Sequence, residues 1–381
     1  MDYSFTDEQM MLRDTIARFM ETEATREVIE EIEKANEFPH ALVDKLSELG
    51  FMGINVPEEY GGQAGTVIDE MILFEQIAKR LPVLAWAAGN VILYGNNIIN
   101  TNGNQEQKEK FLPLLVEGKL KFCFALTEAN VGSDAAQLQT KAELKDGRYV
   151  INGAKMFITG AGIADYVVTN ARTGGPGMDG ITAFLVPGSA AGYSASPINN
   201  LGHKGSNTCA VTYQDVEAGP EDILGGPEQI NQGWRQMMRL LNSERLVLSS
   251  CAIGIAQAAL DYALAYAKER VQFGRPIGRF QAIQNKLVNM ATEVEAARRL
   301  AYYAGWMEVN HMPCVKETSM AKLYSAEVAK RCAMDCVQIL GGYGYAMEYD
   351  AQRFLRDSLV YSIGGGTSEI QMNIIAKQMG L

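Results

Sequence analysis

The stretch Phe124-Ala-Leu-Thr-Glu-Ala-Asn-Val-Gly-Ser-Asp134 (FALTEANVGSD) lies where the character of this 381-residue sequence changes. Before it, apolar residues such as Ile16, Phe19 and Met20 recur at helical spacing. After it, short apolar runs between glycine-rich turns predict strands, and from about residue 228 long helical patterns return. The order α, then β, then α predicts three domains, over residues 1–118, 119–226 and 227–381.

Local signals predict where several of these elements begin and end. Pro39 and Gly50 are expected to flank a helix in PHALVDKLSELGF. Asn152-Gly153, between two apolar runs in GRYVINGAKMFITG, predicts a hairpin turn. The later helices carry small alanine and glycine residues between larger apolar ones, which favours close packing in a bundle.

Composition narrows the function classes. A hydrophobic content of 47% with 21% charged residues is typical of a globular protein, and no run of about 18 apolar residues predicts a membrane span. The net charge of −11 argues against nucleic acid as a partner. Six scattered cysteines favour a reducing cytoplasm. Cys332 and Cys336 are one helical turn apart, but with only three histidines in the chain no metal site is expected.

Four further glycine-containing motifs follow FALTEANVGSD: FITG (157–160), ERVQFGRPIGRFQAIQ (269–284), QILGGYGY (338–345) and YSIGGGTSEIQ (361–371). Each alone is compatible with an ordinary turn, helix end or surface cation. The Thr-Ser-Glu of the last motif, at an expected helix start, is also suited to hold an anion. No phosphate-binding P-loop and no GxGxxG of a parallel-sheet nucleotide fold is present.

Taken together and in this order, the motifs resemble the acyl-CoA dehydrogenase family over nearly the whole chain. The pattern R-x-x-F-G-x-x-I-x-x-x-Q is present in full from Arg270 to Gln281, and PEEYGG (57–62) and LGHKGSNTCAVTYQDV (201–216) also match. Ala129 replaces a proline that is usual in the family. The resemblance implies an α+β multidomain fold with an N-terminal helical domain, a middle β-barrel domain and a C-terminal four-helix bundle.

The same resemblance implies one FAD per subunit of a homotetramer, a dimer of dimers. Residues expected to line the flavin are Phe124, Leu126, Thr127, Ser133, Phe157 and Thr159. Phe157 stands where many members have tryptophan, and Ser133 would also lie beside the CoA chain. Residues expected to reach the FAD of a neighbouring subunit are Arg270, Phe273, Gln281, Gln338 and Gly342. Thr367 and Glu369 match positions that hold the adenosine diphosphate part of FAD.

The catalytic carboxylate that most members carry in the last motif is absent here. In the family, a glutamate removes the α-proton of an acyl-CoA while a hydride passes from Cβ to flavin N5. Gly365 stands at the position of that glutamate in this sequence. Isovaleryl-CoA and long-chain relatives place the base before a helix arginine instead, which matches Glu244 and Arg245. A solvated stripe or a structural ion pair is the alternative role for Glu244. Gly365 keeps a backbone N–H that is expected to stabilise the thioester carbonyl.

The glycines of the last motif also indicate a substrate class. Gly364 and Gly365 lack the bulk that other members have beside the substrate carbons, which favours a short, branched, cyclic or otherwise bulky acyl-CoA. Trp86 and Asn90 match the distal end of the acyl pocket, although a core tryptophan is an equal interpretation. Ser133, Asn242 and Arg245 complete the expected substrate contacts.

Three alternatives to the dehydrogenase remain open from the sequence. Bacterial crotonobetainyl-CoA reductase-like proteins are similar and run the same chemistry as reduction of an enoyl-CoA. A base-free flavoenzyme, such as a monooxygenase or desulfinase, would not need Glu244. A flavin-binding or assembly subunit would have no activity. For both directions of the acyl-CoA chemistry, an electron-transfer flavoprotein is the expected partner.

Overall fold

The computed structural model describes residues 4–381, and its first part is helical. Thr6 and Asn104 cap two of the helices through their side chains. Pro39 precedes one helix and Gly50, at φ 79°, follows it, so this prediction is confirmed. A π-helical segment, Ile92–Asn97, interrupts the series. The α-helices are α1 (Asp7–Glu23), α2 (Arg26–Ala35), α3 (His40–Glu48), α4 (Val67–Arg80), α5 (Pro82–Val91), α6 (Ile98–Asn102) and α7 (Gln105–Val116).

The middle part is a curled, seven-stranded sheet. Its strands are β1 (Phe122–Ala125), β2 (Lys141–Lys145), β3 (Arg148–Ile158), β4 (Tyr166–Arg172), β5 (Ile181–Pro187), β6 (Tyr193–Pro197) and β7 (Cys209–Ala218). One edge of β4 pairs with β5, and the other pairs in parallel with β1 and, at one residue, with β2. The antiparallel pairs β2–β3, β3–β7 and β7–β6 continue the sheet.

The prediction of a hairpin turn at Asn152-Gly153 is wrong. Both residues lie inside β3, where the register with β7 shifts between Ile151 and Gly153. The turn between β2 and β3 is formed by Asp146 and Gly147, both with positive φ. A Cβ at Gly153 would lie 2.6 Å from Thr140 Oγ1, so this glycine permits a bulge rather than a turn.

Helices return after the sheet. The elements are α8 (Gly233–Met238), α9 (Leu241–Glu269), β8 (Val271–Gln272), β9 (Arg275–Pro276), α10 (Gln281–Val309), α11 (Val315–Leu340), α12 (Gly342–Tyr345), α13 (Ala351–Ser358) and α14 (Ser368–Gln378). Helix α9 is long and apolar enough to cross a membrane, but 72% of its most apolar window is buried inside the protein, as in a core helix.

Helix α9 also packs against α4 of the N-terminal domain. At Gly254 the two backbones come so close that a Cβ would lie 2.4 Å from the carbonyl oxygen of Glu75. Glu75 itself accepts hydrogen bonds from Arg298 and Tyr302 of α10. The N-terminal domain and the C-terminal helices therefore share one core, with α9 at its centre.

This close contact generates a stability prediction. Gly254→Ala should lower the free energy of unfolding by about 1–3 kcal/mol, because the added methyl group meets backbone atoms that cannot rotate away. Gly89→Ala in α5 is the matched control, since a Cβ there meets nothing closer than 3.6 Å. Chemical denaturation of both variants measures the difference. Equal stability of the two variants would contradict the close packing of α4 on α9.

Candidate active site

A strip of residues from two strands forms the first part of the site. The Lys155 ammonium donates to the Leu126 carbonyl at 3.0 Å, and the Met156 N–H donates to the Thr127 carbonyl at 2.9 Å. These two bonds bring the segment after β1 against the end of β3. Five of the six predicted flavin-lining residues therefore lie in two adjoining segments, namely Phe124, Leu126, Thr127, Phe157 and Thr159. The sixth, Ser133, is exposed on the loop that follows β1.

A buried ion pair holds this loop in shape. Lys155 is 1% exposed and its ammonium lies 2.9 Å from Glu128 Oε1. The Glu128 carboxylate also accepts the backbone N–H groups of Gln139 and Thr140. Loss of hydration on burial lowers the pKa of Lys155 to about 8, and this lysine still has a charged acceptor at contact distance. The Lys155–Glu128 pair therefore ties the start of the loop to β3, and the bonds from Gln139 and Thr140 tie Glu128 to the end of the loop.

The Phe157 ring provides an apolar surface at the edge of the strip. Its side chain is 61% exposed and its φ is 62°, within the register shift between Lys155 and Ile158. A bulge commonly redirects a side chain in this way. An exposed aromatic ring beside backbone and hydroxyl groups fits a planar heteroaromatic ligand.

Glu244 lies in the first turn of α9 and contacts this strip through Tyr94. The Tyr94 hydroxyl is 3.5 Å from Glu244 Oε1, and its ring stacks on Phe124 with centroids 6.0 Å apart. Burial raises the pKa of Glu244, although Arg245, the Tyr94 hydroxyl and Lys322 each act to lower it. Among residues 4–381, no basic side chain comes within ion-pair distance of the Glu244 carboxylate. The arrangement is that of a partly buried carboxylate without an ion-pair partner.

The glycine loop of YSIGGGTSEIQ covers the same face of α9. A Cβ at Gly365 would lie 2.4 Å from Leu248 Cδ1, and Leu248 is one helical turn beyond Glu244. The Lys322 ammonium donates to the Gly366 carbonyl at 2.6 Å and anchors the loop from α11. Within the described part of the chain, the Gly365 N–H has no acceptor in hydrogen-bond reach, so it is available to a ligand.

The sequence predicts free space beside both Gly364 and Gly365, but a side chain would have room only at Gly364. Leu248 occupies the position that a side chain at Gly365 would take, and φ of 66° adds strain to any larger residue there. A Cβ at Gly364, by contrast, would meet only the Val360 carbonyl at 3.6 Å. A side chain at Gly364 would therefore meet no close contact at its Cβ, unlike one at Gly365.

The remaining residues predicted on the substrate side have contacts within the protein. Asn90 is fully buried and its amide donates to the carbonyls of Phe122 and Thr159, which ties α5 to the strip. The Trp86 indole donates to the Tyr361 hydroxyl, and its ring lies against His203. The Asn90 amide nitrogen is thus used within the protein, whereas its buried Oδ1 has no hydrogen-bond partner among the described residues.

Asn242 and Arg245 flank Glu244 on α9. The Asn242 amide donates to Glu308 at 3.1 Å, and Cys314 contacts the same carboxylate. Arg245 is 6% exposed, and its Nε has no hydrogen-bond partner among the described residues. A buried guanidinium nitrogen without an acceptor is uncommon and marks a place where a ligand atom could bind.

A second, open groove lies at the other end of α9. It has a volume of about 620 Å³ and is lined by Arg270 and Gly342 among others. The Arg270 guanidinium lies over the Tyr343 ring, with 5.6 Å between them. Phe273, Gln281 and Gln338 do not line this groove. Phe273 is 94% exposed.

The last helix begins as the sequence predicts. Thr367 caps α14 by accepting the Ile370 N–H, and Glu369 lies in the first turn. Ser368 donates to Glu327 of α11, which fixes the orientation of this helix start.

Sequence reasoning missed two residues of the site, Tyr94 and Lys322. Lys322 is buried on a face of α11 that also carries Thr318, Ser319 and Ser325, and burial lowers its pKa to about 8. In the sequence, a lysine among such polar neighbours is typical of an exposed helix face. Tyr94 carried no signal either, because a tyrosine in an apolar segment is typical of a protein core.

Comparisons with known proteins identify the family. Models of the acyl-CoA dehydrogenase N-terminal, middle and C-terminal domains match residues 6–119, 123–216 and 231–380. The chain belongs to the acyl-CoA dehydrogenase family. A Bacillus subtilis acyl-CoA dehydrogenase is 41% identical over 381 residues, with 98% of each chain covered. The caffeyl-CoA reductase-Etf complex subunit CarC of Acetobacterium woodii is 38% identical over 374 residues, again with 98% of each chain covered. The structure of butyryl-CoA dehydrogenase from Megasphaera elsdenii superposes with a TM-score of 0.95 at 35% identity, covering 100% of both chains.

Members of the acyl-CoA dehydrogenase family depend on FAD, and the residues present here fit that cofactor. The strip of Phe124, Thr127, Phe157 and Thr159 offers the aromatic surface and hydroxyl groups that a flavin ring needs. The three-domain fold predicted from the sequence is confirmed, with a curled sheet as the middle domain. The protein is an oxidoreductase of this family.

The buried ion pair generates a prediction about the cofactor. Lys155→Met should lower the amount of FAD that copurifies with the protein, because Glu128 loses its buried partner and the loop after β1 loosens. Lys145→Met, at an exposed pair of β2, is the matched control. The ratio of flavin to protein absorbance measures the effect. Equal flavin content in the two variants would show that the ion pair does not shape the cofactor site.

Proposed function

We propose that this chain is an FAD-dependent acyl-CoA dehydrogenase in which Glu244 removes the α-proton of a short, branched, cyclic or bulky acyl-CoA. The observation that carries the proposal is the position of Glu244: its carboxylate has no ion-pair partner among the described residues and lies beside the hydroxyl of Tyr94, whose ring stacks on Phe124 of the strip. Leu248, one turn later on the same helix, lies against the Gly365 loop. The sequence left open that Glu244 forms a structural ion pair, but no basic side chain among the described residues pairs with it.

The residues of the chain have separate roles in this reaction. FAD bound along the strip would accept the hydride that leaves Cβ. Glu244 takes the proton from Cα, and its raised pKa makes it a stronger base than an exposed carboxylate. The free N–H of Gly365 donates to the thioester carbonyl, where negative charge develops as the α-proton leaves. One proton and one hydride leave the substrate, which becomes a 2-enoyl-CoA.

The shape of the loop supports the substrate class. Leu248 fills the volume above Gly365, and the volume beside Gly364 remains open. A branch or ring on the acyl group would extend toward Gly364. The unpartnered Nε of Arg245 lies on the same helix as the base and would interact with the polar part of the substrate.

A second candidate is the same chemistry run as enoyl-CoA reduction. The similarity to a relative named as a caffeyl-CoA reductase subunit favours it. Glu244 would then be protonated and give its proton to Cα, and a raised pKa suits that role equally well. In either direction we propose an electron-transfer flavoprotein as partner, a homotetramer with the Arg270 groove at a subunit contact, and a cytoplasmic location that agrees with six free cysteines.

The test of the base is Glu244→Gln. This variant should retain flavin and fold but reduce the rate of anaerobic flavin bleaching by acyl-CoA by about 10²–10⁴-fold, because the amide cannot accept the proton. Glu293→Gln, at an exposed ion pair of α10, is the control. Bleaching of Glu244→Gln at the rate of the control would remove Glu244 as the base and favour a base-free flavoenzyme.

The test of the substrate class is a panel of straight, branched, cyclic and aryl thioesters of CoA, each as the saturated and the 2-enoyl form. Branched or cyclic saturated forms should bleach the flavin faster than straight chains of equal length, because their bulk fits beside Gly364. Faster bleaching by straight chains would contradict this assignment. Oxidation of a chemically reduced sample by the enoyl forms alone would establish the reductase.

A further inference from the structure

Tyr94 contacts both the base and the flavin strip. It belongs to the π-helical segment Ile92–Asn97, and its ring lies nearly parallel to that of Phe124, with an interplanar angle of 16°. Its hydroxyl is 3.5 Å from the Glu244 carboxylate. This separation is at the long end for a hydrogen bond, as is common for catalytic groups before substrate binds.

A buried polar cluster holds the π-helical segment in place. Asn97 donates to the Glu70 carboxylate at 3.1 Å, and Asn55 donates to both Glu70 and Asn97. Asn96 donates to the Met52 carbonyl. The wide turn of a π-helix is rare and is frequently found at functional sites. Here the amide nitrogens of Asn96 and Asn97 donate to partners behind the segment, and its tyrosine faces Glu244.

We propose that Tyr94 is a positioning residue for Glu244: its hydroxyl donates to the carboxylate and holds it toward an acyl group lying along Phe124. This inference rests on the proposed function, in which Glu244 is the base. Tyr94 thereby sets both the direction of the carboxylate and its tendency to bind a proton. Its contact with Phe124 couples that position to the flavin strip.

The groups that face Glu244 determine which way the pH dependence should move. Arg245 acts from its own helix, Lys322 from α11 and Tyr94 from the π-helical segment, and each favours the ionised form. Burial raises the pKa of Tyr94 well above its usual value, so its hydroxyl keeps its proton and is a permanent donor. Removing that donor leaves the two cations in place and raises the pKa of Glu244 further.

The test is Tyr94→Phe, which retains the ring on Phe124 and removes only the hydroxyl. The pH limb of turnover that belongs to Glu244 should move to higher pH. In the oxidative direction, kcat/KM should fall about tenfold below the limb and approach wild type above it, as expected for one hydrogen bond to a charged group. Tyr302→Phe is the matched control, because it removes a hydroxyl that donates to a different buried carboxylate, Glu75.

The outcomes separate this inference from the proposed function. If Glu244→Gln is inactive and the Tyr94→Phe profile coincides with that of Tyr302→Phe, Tyr94 does not position the base, and the base assignment stands. If Glu244→Gln is fully active, both the base and the role of Tyr94 are overturned. Should Tyr94→Phe lose flavin, Tyr94→Met, which also lacks the hydroxyl, is measured in its place with the same expected shift.

Discussion

The proposed role of Glu244 requires a negative charge at a place where packed helices exclude most of the water, and the rest of the site depends on how that charge is stabilised. A carboxylate in such a position becomes neutral unless nearby groups stabilise its charge. Arg245 and Lys322 contribute positive charge at longer range, and the Tyr94 hydroxyl lies at the carboxylate itself. Neither cation forms a close ion pair with Glu244, and burial raises the pKa of its carboxyl, as the proposed role of base requires.

The same turn of α9 also determines the shape of the site. Glu244 projects toward the flavin strip, and Leu248, one turn later, fills the position where a side chain at Gly365 would lie. The two features are linked, because a glutamate on the loop at Gly365 would have to displace the Leu248 Cδ1 methyl group. Lys322 then fixes the loop through the Gly366 carbonyl. All three domains contribute: α9 holds Glu244, the sheet holds the strip, and the N-terminal domain holds Tyr94.

The sequence was sufficient for the order of the domains, for helix ends marked by Pro39, Gly50 and Thr367, and for the family. These depend on local periodicity and on motifs whose order is specific. It was not sufficient for the strand at Asn152-Gly153, because a bulge and a turn have the same local glycine signal and only the pairing with β7 separates them. The place of Tyr94 in the site depends on contacts between domains, so no local pattern distinguishes it from a core residue.

The most direct test of Glu244 as the base is exchange of the α-proton without oxidation. A CoA thioester with sulfur in place of the β-methylene cannot lose a hydride from that position, so any α-exchange in deuterated water reports the base alone. The account predicts exchange with the wild-type protein and its loss in Glu244→Gln, with flavin content unchanged. Equal exchange in the two proteins would contradict the assignment of the base to α9.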